Sequence, residues 1–214
     1  MSETPKKTNG AKNPRVNIQF NEEQKEVHEK FYQYDVNFIL GKHGSGKTLV
    51  ATAISILAYR KKLYEKIWIT NKITKNSVGI LPGILEDKMK QWVYPIIHNF
   101  NKCQSSAQTE KMQKEEHIEI LPVDFMMGIT MNDILIVDEF QNLTEEEFRG
   151  VISRLGNKGK IFFCGDPKQT KSSVTNSCFN LAHKLKDSGL VGWSELTSNH
   201  RNPALPLIFD ILDN

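Results

Sequence analysis

No apolar run in the 214-residue sequence approaches the roughly 20 residues needed to cross a bilayer, and Met1–Arg15 is polar where a signal peptide needs an apolar core. An unexported, cytoplasmic protein with no membrane partner is expected. Cysteine is scarce and scattered. Cys103, Cys164 and Cys178 form neither an even framework nor a CxxC pair, which argues against disulfides and a structural zinc and fits a reducing compartment. His28, His98, His117 and His183 lack partners at metal-ligand spacing and read as structural or solvated. Net charge is also small. The formal +3 resides in Met1–Arg15, where Lys6, Lys7, Lys12 and Arg15 stand against Glu3, so the body of the chain balances to zero. A strongly basic nucleic-acid-binding body is thereby excluded, and residues 1–15 read as a solvated, disordered tail.

What the chain does have is apolar material, 39% of residues, spread from Val36 to Leu212, enough for one continuous core. One domain over residues 16–214 is the simplest organisation, and no internal repeat is present. Short runs rich in Ile, Val and Phe occur at Phe38–Leu40, Lys66–Thr70, Ile118–Leu121, Ile134–Val137 and Lys160–Cys164, bounded by polar residues or Gly as buried parallel strands are. Helical spacing falls between them, at Glu22–Tyr34 and Thr48–Leu63. A further helix has its start marked by a capping box, Thr144 with Glu147, and an apolar face of Phe148, Val151, Ile152 and Leu155; Gly156 is its expected stop. Strands alternating with helices predict an α/β three-layer domain with a mainly parallel sheet. Asn101–Glu116 is the polar stretch expected to be a mobile insertion, and Trp68, Trp92 and Trp193 sit among apolar neighbours as core residues.

Gly41-Lys42-His43-Gly44-Ser45-Gly46-Lys47-Thr48 matches G-x-x-x-x-G-K-[ST] and lies after a strand and at the opening of a helix, where that motif works. The glycines let successive backbone N–H groups face phosphates, and the helix N-terminus adds partial positive charge at the same spot. Lys47 is expected on the β- and γ-phosphates and Thr48 on Mg²⁺. Lys42 and His43 occupy variable loop positions, solvated by default. A chance Gly-rich turn does not explain four fixed residue types in this setting. The strand Ile134–Val137 ends in Asp138-Glu139, with Asp138 expected to bind Mg²⁺ and Glu139 to orient and deprotonate the attacking water. A third apolar strand ends in Gly165-Asp166-Pro167-Lys168-Gln169. That segment resembles motif III of superfamily 1 helicases, which implies that Gln169 senses the γ-phosphate.

The order of these segments, from about Asn37 to Leu212, resembles the PhoH family of P-loop ATPases, related to the RecA-like domains of superfamily 1 helicases. Leu81-Pro82-Gly83 with Glu86 and Lys88 resembles the family's LPG segment, and Ile118-Glu119-Ile120-Leu121-Pro122 its IE-x-x-P strand. Asp138-Glu139-Phe140-Gln141-Asn142 resembles DEAQN, Ser153-Arg154-Leu155-Gly156 resembles TRLG, and Asn199-His200-Arg201-Asn202-Pro203 resembles VVRHP. The small size is similar to stand-alone PhoH-like proteins of phages, which places the expected cytoplasm in a phage-infected bacterial cell. Two departures stand out: Asn71-Lys72 replaces an Arg-Pro after the second strand, and Met126-Met127-Gly128-Ile129-Thr130 replaces MRGRT, so two arginines are missing. Gln24 is placed like the glutamine that reads adenine in related helicases; its other reading is an exposed residue of the helix Glu22–Tyr34.

The resemblance implies a RecA-like fold and Mg-dependent ATP hydrolysis, coupled to RNA or single-stranded DNA. A nucleoside kinase of the thymidine type also combines a phosphate loop with a D-E-x-Q segment, but the zinc-binding cysteines of those enzymes are missing here. A nucleotide-dependent binding module with little turnover is the third reading, which the missing arginines keep open. Superfamily 1 helicases close the ATP site between two RecA-like domains, and this sequence has material for one. A homo-oligomer, of hexameric ring size by resemblance, is therefore expected, with Arg201 as the first candidate for an arginine reaching a neighbouring subunit's γ-phosphate and Arg154 as the second.

Overall fold

The computed structural model describes residues 16–72, 85–126, 128–169 and 176–198. In chain order these form α1 (Glu22–Gln33), β1 (Val36–Gly41), α2 (Lys47–Arg60), β2 (Ile67–Asn71), α3 (Leu85–Cys103), α4 (Ser106–Lys114), β3 (Ile118–Pro122), β4 (Ile134–Val137), α5 (Glu145–Ile152), β5 (Lys160–Gly165), α6 (Asn176–Asp187) and β6 (Gly192–Leu196), with short 3-10 turns at Val123–Met126, Phe140–Asn142 and Pro167–Gln169. The strands make a six-stranded sheet in the order β3-β2-β4-β5-β1-β6. Every pairing is parallel.

The apolar strand runs are explained by burial on both faces. Along β5, Ile161 and Phe163 point to one side of the sheet while Phe162 and Cys164 point to the other. One side packs against α1, α2, α3 and α4 through Phe31, Ile54, Phe100 and Met112, and the other against α5 and α6 through Phe148, Val151, Phe179 and Ala182. Phe163 stacks on Phe38 at 5.1 Å between ring centroids and meets Phe140 and Phe148 edge-on or tilted. Truncating so enclosed a ring costs about 3–5 kcal/mol. Helix α2 is buried from Val50 to Leu57 on all sides, because it lies on the sheet and α3 covers its outer surface.

Several sequence expectations are revised. Asn101–Glu116 is not a mobile insertion: it completes α3 and forms α4, whose start is a capping box of Ser105 with Gln108. Its few apolar residues reach the core, with Cys103 and Met112 buried beside Phe100, so low apolar content disguised a packed helix. Helix α2 stops at Arg60, three residues before Leu63, where Lys62 takes φ 59 and turns the chain toward β2. The capping box of Thr144 with Glu147 starts α5, but α5 ends at Ile152. Arg154 therefore lies in the following turn and not inside a helix, and its carbonyl accepts from the Met131 N–H at 2.7 Å. Strand β6 has no counterpart among the expected strands, since Gly192–Leu196 carries only two apolar residues, Trp193 and Leu196, of which Trp193 is half-buried. Trp68 and Trp193 pack at the margin of the core beneath Lys66 and Lys186, and Trp92 lies outside the described side chains.

Candidate active site

Strand order places the three motifs together. β4, β5 and β1 are adjacent and parallel, so the segments that leave their C-terminal ends, at Asp138, Asp166 and Gly41, gather at one edge of the sheet although they are far apart in sequence. Open parallel sheets bind ligands at this edge.

The loop after β1 turns through Gly44 at φ 88 and Gly46 at φ 86, left-handed conformations that cost other residues energy, and α2 begins directly at Lys47. Gly46 occupies the N-cap without a side-chain bond to the helix, so the first N–H groups of α2 stay directed toward the loop's concavity. Ser45 is 3% exposed and its Oγ is buried without a hydrogen-bond partner. Lys47 is itself buried. Its Nζ donates to the carbonyls of Gly41 at 2.8 Å and Lys42 at 3.2 Å, which folds the ammonium over the loop. Lys42 and His43 are exposed.

Across this loop stands the carboxylate pair. Thr48 Oγ1 donates to Asp138 Oδ1 at 2.6 Å. Burial pushes the Asp138 carboxyl up to about 6, against the Thr48 bond, which favours the ionised form. Alternation along β2 and β4, where Ile69 and Ile136 share one side of the sheet, puts Asn71 on the same face as Asp138. Asn71 Oδ1 is buried and unpartnered there. Glu139 takes φ 51, which swings the chain out of β4 into the Phe140–Asn142 turn. On the third strand end, Asp166 is buried, its carbonyl accepts from the Gln169 N–H at 3.2 Å, and Gln169 is exposed at the close of the turn.

Hard oxygen donors suit Mg²⁺, and Thr48, Asp138 and the unpartnered Asn71 and Ser45 oxygens fit a magnesium-bound phosphate chain. Asn71 and Thr70 were missed as site residues from sequence. Only strand pairing sets them beside Asp138, where the Asp138 N–H donates to the Thr70 carbonyl at 2.9 Å.

A family profile described as PhoH-like protein matches residues 18–212. The chain belongs to the PhoH family. Protein PhoH2 of Bacillus subtilis (strain 168) is 29% identical over 186 residues, covering 81% of this chain and 42% of that protein. A PhoH-like protein of the same organism is 30% identical over 160 residues, covering 71% of this chain and 50% of its own length. The chain thus spans half or less of the length of these curated relatives. Among solved structures, the large terminase from a thermophilic bacteriophage aligns with a TM-score of 0.57 at 12% identity, covering 90% of this chain and 50% of that one. A further structure of that terminase, in complex with ATP-gamma-S, aligns with a TM-score of 0.54 at 12% identity over 90% of this chain and 49% of that one. These likenesses show the RecA-like P-loop fold.

Gln24 is not an exposed helix residue. It is 7% exposed, and its Oε1 accepts from the Asn21 N–H at 3.1 Å while its own N–H donates to Asn21 Oδ1, a capping box that starts α1. The neighbouring Glu23 accepts from Thr197 and Ser198, so the start of α1 is tied to the end of β6, the strand paired with β1 up to Gly41. Arg201 lies outside the described residues. Lys72, at the position where the family resemblance expects an Arg-Pro pair, donates to Glu147 Oε2 at 2.8 Å and joins β2 to the start of α5.

Proposed function

We propose that this PhoH-family chain binds and hydrolyses ATP with Mg²⁺. The observation that carries this reading is the contact of Thr48 with Asp138 beside Lys47, which joins the phosphate-loop helix to the carboxylate pair at the C-terminal edge of a parallel sheet. In this reading Gly41, Lys42, His43, Gly44, Ser45 and Gly46 wrap the phosphates through their backbone, and Lys47 exchanges its loop carbonyls for the β- and γ-phosphates. Thr48 and Asp138 hold Mg²⁺, which neutralises charge on the phosphates. Glu139 accepts the proton of the attacking water, Gln169 meets the γ-phosphate, and Gln24 stands at the adenine end.

Coupling to RNA or single-stranded DNA rests on the likeness of the Gln169 segment to motif III of superfamily 1 helicases. A shared site between copies, with Arg201 entering from a neighbour, completes the pocket in a homo-oligomeric ring. Phosphate release from ATP, with and without RNA or single-stranded DNA, tests the reading. Turnover in the wild type that is lost in Lys47→Ala is the expected result, and undiminished kcat in Lys47→Ala overturns it.

A further inference from the structure

Gln141 is 1% exposed and uses its side chain at both ends. Its Nε2 donates to Glu139 Oε2 at 2.5 Å, and its Oε1 accepts from the Asp166 N–H at 3.3 Å. Asp166 in turn shapes the turn that carries Gln169: its Oδ1 accepts from the Lys168 N–H at 3.0 Å and its carbonyl from the Gln169 N–H at 3.2 Å. The close approach depends on Gly165. A Cβ there would press into the Phe140 ring and lie 2.9 Å from Gln141 Oε1, so a larger residue would push the end of β5 off the amide. The left-handed backbone at Glu139 completes the arrangement by turning the chain so that residue 141 returns to residue 139.

We propose that Gln141 is a positioning residue: it fixes the Glu139 carboxylate and joins it to the Asp166–Gln169 turn, so that the water-activating group and the group facing the γ-phosphate are held as one unit. The proposal rests on the ATPase reading for those two roles. Its physical basis is direct. A glutamate carboxylate is free about three side-chain torsions, and one buried amide donor removes most of that freedom while leaving Oε1 for water. The same amide, satisfied at its other end by a backbone N–H, cannot shift without disturbing the turn. Glu139 and Gln169 leave different strands, β4 and β5, and among the described residues Gln141 is the side chain that bonds to both segments.

The test compares wild type, Gln141→Leu, Gln141→Glu, Gln169→Ala and the Gln141→Leu/Gln169→Ala pair, measuring ATP turnover, melting temperature, and affinity for ADP and for ATP-gamma-S. Gln141→Leu keeps the volume and removes both bonds. Gln141→Glu keeps an acceptor for the Asp166 N–H but sets a second carboxyl against Glu139 in place of the amide donor. Both are expected to lose kcat by about 10²-fold at unchanged KM and unchanged ADP affinity, the scale of a displaced catalytic group. The double variant is expected to be no slower than its slower parent, as for groups acting in one unit. Full kcat in Gln141→Glu, losses that multiply in the double variant, or kcat and ADP affinity falling together with melting temperature would each overturn the proposal. A wild type without turnover would defeat the ATPase reading instead. The ratio of ATP-gamma-S to ADP affinity then decides: an equal fall in Gln141→Leu and Gln169→Ala supports the joined unit, and a ratio lowered only by Gln169→Ala sinks it.

Discussion

Thr48 Oγ1 donates to Asp138 Oδ1 across 90 residues of sequence, and this bond is the largest of the effects that favour the ionised Asp138 carboxyl. Burial works against it and is larger, which leaves the carboxyl at about 6, above its ordinary 3.8. Stability from a group raised in this way is complete below its unfolded value and lost as pH rises through the folded one. Asp138→Asn, with no charge to bury, is therefore expected to gain melting temperature over the wild type as pH rises from about 4 through about 6 in nucleotide-free protein, and to hold that gain above it. Thr48→Val should lift the Asp138 titration further, while Thr48→Ser leaves it in place; carboxyl NMR shifts read both.

Glu139→Gln keeps the size of the side chain but cannot take a proton from water. Turnover is expected to fall about 10²–10⁴-fold while ATP-gamma-S and Mg²⁺ still bind. Calorimetry and phosphate release, measured on the same preparation, separate the two. A variant that loses binding would reverse the roles assigned within the carboxylate pair.

Acid stability should depend on Glu147. Burial raises its carboxyl, but the hydrogen bond from Lys72 and those from Thr144 outweigh that and hold it below its ordinary 4.5. A depressed acid contributes stability above its unfolded value and loses it as pH falls through the folded one. The melting temperature is thus expected to drop below about pH 4.5, and Glu147→Gln to flatten that limb. At neutral pH the same variant, which keeps a cap acceptor but breaks the ion pair, should cost about 1 kcal/mol in urea unfolding.

For the shared site, Arg201→Ala is expected to lower kcat about 10³-fold or more, the scale of an arginine finger. Mixing Lys47→Ala with Arg201→Ala subunits should restore part of the turnover, since some interfaces then pair an intact loop with an intact arginine. Light scattering that finds only monomers at full turnover with ATP and Mg²⁺ would rule the arrangement out.

The phosphate loop, the carboxylate pair and the α/β class were all legible in the sequence because each rests on local rules: glycines where the backbone must turn, a helix opening at Lys47, and five apolar runs buried on two faces. The family followed from the order of those segments. Where helices end was less legible, as Arg60 and Ile152 show, because tertiary contacts of the following turn decide it. β6 and the α3–α4 region escaped for a related reason: Gly192–Leu196 is a strand because β1 pairs with it, and Phe100, Cys103 and Met112 are core because α2 and β3 lie beneath them. Tertiary structure alone placed Asn71 beside Asp138, made Gln24 a buried cap, committed Lys72 to Glu147, and drew Gln141 between Glu139 and Asp166. Sequence carries the residue types that chemistry needs; which of them meet depends on strand order, and β4-β5-β1 adjacency is a property of the whole sheet.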